Sequence, residues 1–113
     1  MYWYDDDRKV LIHERSYDAT LGIYVYRFGS SSDAPRRQLT GDIIVKFSGI
    51  QSADSLADFQ ARYSVTLVKN LPVGTGYYIF SAIDRETSLD IANQIYRDDE
   101  VQFAYPDWLT LGR

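Results

Sequence analysis

Cysteine is absent from this chain of 113 residues, so neither a disulfide framework nor thiolate chemistry is available to it. Histidine occurs once, as His13, and there is no Gly-x-Ser-x-Gly turn. A single histidine with no nucleophile to serve reads as a solvated strand residue, not a general base. With 3 prolines and 7 glycines, low-complexity and collagen-like architectures are excluded. Long apolar runs are missing: no segment approaches the ~20 residues of a membrane-spanning helix. Positive charge is in deficit. Lys and Arg number 12 against 16 Asp and Glu, a formal net charge of -4, which disfavours a nucleic-acid partner. The opening residues do not read as an export signal, because Met1 leads straight into Tyr2, Trp3, Tyr4 and three aspartates.

What is present points to a folded domain. Hydrophobic residues make up 45% and aromatics 15%, incompatible with a disordered chain, and the length suits one domain with a small appendage. The 10 tyrosines favour half-buried surfaces and interfaces. Asp5, Asp6 and Asp7 lack the spaced oxygen ligands and closing Glu of a calcium loop and read as a solvated turn. Arg36 and Arg37 form a dibasic pair in a polar stretch. Nothing in these residues calls for a cofactor or a metal.

The first 40 residues read as a small antiparallel meander followed by a linker. Residues 2–4 are aromatic, 9–15 form a short strand, and 21–28 alternate Ile23 and Val25 with Tyr24 and Tyr26. Residues 29–41 are rich in Ser, Gly and charge and read as a long loop separating 1–40 from a main unit, 41–113. In that unit, 42–48 alternates as a strand. A helix opens at Ser52 and runs to Tyr63, with Ala53, Leu56, Phe59 and Tyr63 on one face and Ser55 with Asp58 as a capping-box variant. A strand over 65–71, a glycine-containing loop over 72–76 and a strand over 77–83 follow. Thr87 caps a second helix that buries Leu89, Ala92, Ile95 and Tyr96 and ends by Arg97. The last strand, 101–105, is stopped by Pro106, leaving an extended tail without a partner.

Strand, helix, strand, strand, helix, strand is the order of a ferredoxin-like α+β fold, with a four-stranded antiparallel sheet and both helices on one face. The other face is then expected to be polar, yet here it is not. Whichever side of 77–83 is core, the opposite one carries Tyr78, Phe80 and Ala82 or Tyr77, Ile79 and Ile83. That face needs a cover, either the meander or another protein.

The segment GDIIVKFSG, an amphipathic helix, a strand ending in Leu71 and Pro72, YYIFSAI, a second helix and VQFAYPDW together resemble the propeptide domain of subtilisin-like serine proteases. The resemblance spans 41–113. Its most specific part is the closing strand, where Val101, Phe103 and Asp107 match a hydrophobic-x-aromatic-x-x-x-Asp pattern. It implies a non-enzymatic domain that assists folding of a subtilisin-like catalytic domain and then inhibits it, in cis or in trans. It further implies that the exposed sheet face, here assigned to Tyr78, Phe80 and Tyr105, packs on two helices of the protease. Asp107 would cap one of those helices, where free N–H groups favour a carboxylate. At the second such position this chain has Tyr105 and not an acid. Leu109, Thr110, Leu111, Gly112 and Arg113 would run through the substrate cleft as an added strand, with Arg113 before the scissile bond. A compartment enters only through the protease: attached to an exported subtilase, the domain is secreted or lies in the cell envelope.

Three rival functions share this topology. RNA-recognition modules stack bases on strand aromatics, but the acidic balance makes phosphate repulsion dominant. Acylphosphatase needs an arginine in an anion loop after the first strand, and residues 48–51 (SGIQ) contain no cation. A stand-alone inhibitor or a ferredoxin-like regulatory module acting on a protein partner differs from the propeptide by gene context alone.

Overall fold

The computed structural model describes residues 2–5, 8–28, 35–71 and 76–111, with side chains described over 15–27, 35–71 and 76–111. Three antiparallel strands open the chain: β1 (Tyr2–Asp5), β2 (Arg8–Asp18) and β3 (Ile23–Phe28). The β2–β3 turn is organised by Asp18, whose carboxylate accepts from the Thr20 N–H at 2.9 Å and the Leu21 N–H at 3.0 Å. Gly22 closes it at φ 71, a left-handed conformation that glycine adopts without a Cβ penalty. The Leu21 N–H is the main cause holding the Asp18 carboxyl below its ordinary range; Arg36, 3.2 Å away, adds to it.

β4 (Arg36–Phe47) is the strand on which the sheet is assembled. It is followed by α1 (Ala53–Tyr63), β5 (Val65–Asn70), β6 (Tyr77–Ala82), a 3-10 turn (Arg85–Thr87), α2 (Ser88–Tyr96) and β7 (Val101–Thr110). One edge of β4 pairs first with β3, at Arg36 and Arg37, and then with β6, from Asp42 to Lys46. The other edge pairs with β7. The result, among the described residues, is an α+β protein with one seven-stranded antiparallel sheet, ordered β1-β2-β3-β4-β6-β5 with β7 beside β4, and two helices.

Ile43, Val45 and Phe47 of β4, Tyr78 and Phe80 of β6 and Val101 and Ala104 of β7 point to the helix side. There they enclose Phe59 of α1 with Ala92 and Ile95 of α2. Phe47 lies at the centre, its ring 4.9 Å from Phe59 and 5.5 Å from Tyr78 in edge-to-face contacts. Burial of each such side chain contributes roughly 1.5–3 kcal/mol. A second, smaller core joins Tyr26 of β3, Leu39 of β4 and Leu89 of α2, with Trp108 of β7 packed on it.

Several expectations are corrected here. The sheet has seven strands, not four, because the meander continues it through β3. The expected boundary at 40–41 falls inside β4, so residues 36–40, hidden in a polar stretch, belong to the sheet. β7 does not stop at Pro106. Among the described residues it pairs with β4 alone, as an edge strand, where proline's missing N–H is tolerated. The cap of α1 is Ser52, not Ser55 with Asp58: the Ser52 hydroxyl accepts from the Ser55 N–H at 3.1 Å, and Ser55 reciprocates on the Ser52 N–H at 2.9 Å. Thr87 stands at the start of α2 without a side-chain cap bond; Asp84 instead caps the preceding turn. The side chains of Asp5, Asp6, Asp7 and His13, the segment 29–34 and the loop 72–75 lie outside the described residues.

Candidate functional site

Alternation along three neighbouring strands builds the sheet face that the helices leave uncovered. Cross-strand pairing sorts its side chains into rows running over β6, β4 and β7. Tyr77, Lys46 and Phe103 form one row, and Ile79, Ile44 and Tyr105 the next. Ser81 and Asp42 form the third, which ends on β7 at Asp107. The aromatic and aliphatic members are all half-buried. Phe103 stacks on Tyr105 at 5.5 Å and meets Tyr77 edge-on at 5.7 Å. The Lys46 ammonium lies 4.9 Å from the Tyr77 ring centroid, a cation–π contact. Tyr105 also packs against the second core of Tyr26, Leu39 and Leu89.

The acidic row sits at a bulge. Between the pairs Leu39–Trp108 and Ile43–Pro106, three residues of β4 oppose the single residue Asp107. Gly41, at φ 96, makes this excursion. Thr40 anchors it: its hydroxyl donates to the Asp107 carboxylate at 3.1 Å and accepts from the Asp42 N–H at 3.2 Å. Burial, and then the negative charge of Asp107, pushes the Asp42 carboxyl above its ordinary range. The face is thus polarised, with carboxylates at one end, an ammonium at the other and apolar surface between.

Two shallow clefts lie elsewhere. One, of about 460 Å³ between the end of α1 and the start of α2, is lined by Arg62, Tyr63, Asp84 and Asp90. Arg62 is bonded to Asp98 there at 2.8 Å. The other, of about 370 Å³, lies between the β2–β3 turn and the 3-10 turn. Asp84 borders both, and its carboxylate accepts from the Thr87 N–H. Next to the second, Glu86 accepts from the Tyr26 hydroxyl at 3.1 Å. Burial and the nearby Glu86 charge push that hydroxyl up to about 12. Among the described residues no group of three or more His, Cys, Asp and Glu is placed to hold a metal ion. No helix among them is long and apolar enough to cross a membrane.

The residues expected at the interface are therefore divided. Tyr105 and Asp107 lie on the open face. Tyr78 and Phe80 do not: their exposures are 9% and 0%, and they belong to the helix-side core. The physical reason is register. Phe80 lies opposite Ile43 on one side and Leu67 on the other, and all three point to the helices. Tyr77, Ile79, Ile44, Lys46 and Asp42 were not among the residues expected at the interface, and Phe103 entered only through the closing-strand pattern. The signal for Tyr77 and Ile79 was the alternative reading of the same alternation; the others needed the pairing of β4 with β7. Of the tail, Leu109 and Thr110 are paired in β7 opposite Gln38 and Arg37. The Leu111 N–H donates to the Arg36 carbonyl at 2.8 Å. The tail through Leu111 therefore has a partner, contrary to the expectation of an unpaired tail. Gly112 and Arg113 lie outside the described residues. Comparison with protein-family models, with curated proteins and with solved structures gives no match to this chain.

Proposed function

We propose that this chain is a propeptide-type inhibitory domain that assists and blocks a subtilisin-like serine protease, docking through the open sheet face and offering the segment 109–113 to the substrate cleft. The observation that carries the reading is the open face itself. Three strands expose two rows of half-buried aromatic and aliphatic residues with carboxylates at one end, while both helices cover the other side. Such a face is an interface composition: aromatic at its centre, with the charges at its ends. The order β7-β4-β6-β5, with helices between β4 and β5 and between β6 and β7, supports reading this unit as ferredoxin-like within the larger sheet.

On this reading Ile44, Tyr77, Ile79, Phe103 and Tyr105 supply the apolar centre of an interface of about 1,600 Å² in total, the usual size for protease inhibitors. Asp107, held in place by Thr40, meets the N-terminus of a protease helix, where unpaired N–H groups favour a carboxylate. The test is to titrate the folded domain into subtilisin-like proteases and follow peptide hydrolysis. Micromolar or tighter inhibition is expected, weakened by about 2 kcal/mol, or about 30-fold, in Phe103→Ala, as for a central aromatic at an interface. A folded domain that leaves every such protease uninhibited at micromolar concentration overturns the reading.

A further inference from the structure

We infer that the open sheet face is a self-association surface, on which a second copy of this chain packs face to face with its strands running the opposite way. The pairing of copies stands on the arrangement of the face and not on the inhibitory reading. It bears on that reading in one respect. Two copies packed together cover the face that a protease would meet, so dimer and protease complex exclude each other.

The face is ordered by charge along its strands. Tyr77, Lys46 and Phe103 form the basic end, on β6, β4 and β7 in turn, and Ser81, Asp42 and Asp107 the acidic end. Ile79, Ile44 and Tyr105, all half-buried, form the row between them. On β4, Lys46 and Asp42 stand two residues to either side of Ile44, and residues two apart on a strand share a face. A two-fold axis lying in the interface and crossing β4 at Ile44 therefore exchanges the two ends. It sets each Lys46 over the second copy's Asp42 and lays the apolar row over its own copy. Residue i meets j and j meets i, as an isologous interface requires.

Charge selects this alignment. With the strands of the two copies parallel, Lys46 would face Lys46 and the carboxylates would face carboxylates, which is costly at an interface. Sheets packed face to face keep their strand directions within about 30° at a spacing of about 10 Å, so β4 stays over β4 near the axis. The acidic end also has a need that a second copy meets. Burial, and then the charge of Asp107, pushes the Asp42 carboxyl up, and an ammonium brought over it offsets both effects. Lys69, opposite Ile79 on β5, continues the middle row and faces its own copy, but it is exposed at the rim, where solvent screens the repulsion. Three rows on three strands make a patch smaller than the ~1,200–2,000 Å² of stable complexes. The dimer is accordingly weak, with a dissociation constant between about 10 and about 500 μM.

Sedimentation equilibrium of the folded chain from about 10 μM to about 1 mM at neutral pH tests this, over the range where such a constant is read. Wild type is expected to pass from monomer to dimer. Lys46→Asp and Asp42→Lys should each weaken the dimer at least about ten-fold, because each sets like charges against each other at both contacts. An equimolar mixture of the two variants should associate to within about three-fold of wild type, since the mixed pair restores opposite charges at both contacts. A wild type that stays monomeric at the highest concentration overturns the inference, as do single variants that dimerise like wild type or a mixture no tighter than either alone. Asp42 borders the bulge, so circular dichroism checks the fold of its variant, and a second measurement needs no variant. Amide shifts of the wild-type chain should depend on concentration at residues 42–46, Ile79 and Phe103. Shifts centred elsewhere, or none, overturn it. A monomer that inhibits a protease leaves the inhibitory function standing, and a dimer that inhibits none leaves only the self-association.

Discussion

Phe80 shows how a strand residue acquires its role from its cross-strand partners. By itself it is an aromatic in an alternating run and fits either face. Opposite Ile43 and Leu67 it is fully buried, 4.9 Å from Phe59 across the sheet–helix boundary. Phe80→Ala is accordingly expected to cost about 3–5 kcal/mol of stability, the range for a large buried aromatic, read from urea denaturation. On the proposed inhibitory reading, affinity for a protease, corrected for the folded fraction, should stay unchanged. Asp98 makes a different point. Burial by itself would raise its carboxyl, but the Tyr63 hydroxyl at 2.7 Å, the Glu100 N–H at 2.9 Å and Arg62 at 2.8 Å prevail and lower it. A group lowered in the folded state contributes stability above its ordinary value, 3.8, and loses it as pH falls through the lowered one. Asp98→Asn should be less stable at neutral pH, and its urea midpoint should fall less between about pH 5 and about pH 2 than that of the wild type. Parallel acid limbs in the two proteins would show that Asp98 does not carry this linkage.

At the scale of elements, the helices were legible and the strand ends were not. The spacing of Leu56, Phe59 and Tyr63 marks α1 because helical periodicity is local, and the helix does run from Ala53 to Tyr63. A strand end is set by its neighbour. β7 continues beyond Pro106 because β4 begins as early as Arg36, and nothing within VQFAYPDWLT carries that information. The same holds for the bulge that sets Asp42 beside Asp107: it needs Gly41 in a left-handed conformation and two strands offset by its excursion. Gly41→Ala meets only an ordinary contact, 3.5 Å from the Arg85 Cα, so its cost is the backbone conformation. A loss of about 1–2 kcal/mol is expected in thermal or urea unfolding. An alanine variant as stable as wild type would mean that the bulge relaxes to another geometry.

For the whole molecule, the chief consequence is that the N-terminal region is not an appendage. Val25 and Tyr26 are almost fully buried, and Tyr26 joins Leu39, Leu89 and Trp108 in the second core. Removing 1–35 therefore exposes Leu39 and Leu89 and leaves the first residues of β4 without β3. We expect the truncated chain to be destabilised by at least about 3 kcal/mol, the burial lost with Val25 and Tyr26. Equal melting temperatures for the truncated and full chains would restore the separate two-part organisation.

The sequence by itself determined the features that depend on near neighbours. These are the α+β class, the order of strands and helices from β4 onward, the apolar face of each helix and the demand for a second apolar sheet face. Periodicity and turn chemistry act over a few residues and need no partner to be read. Tertiary structure decided which side of β6 is core, how far β4 and β7 extend, that the meander continues the sheet, and where the tail lies. Each of these is a pairing between segments far apart in the chain. A strand's two faces and two edges are chemically similar until a particular neighbour occupies one of them.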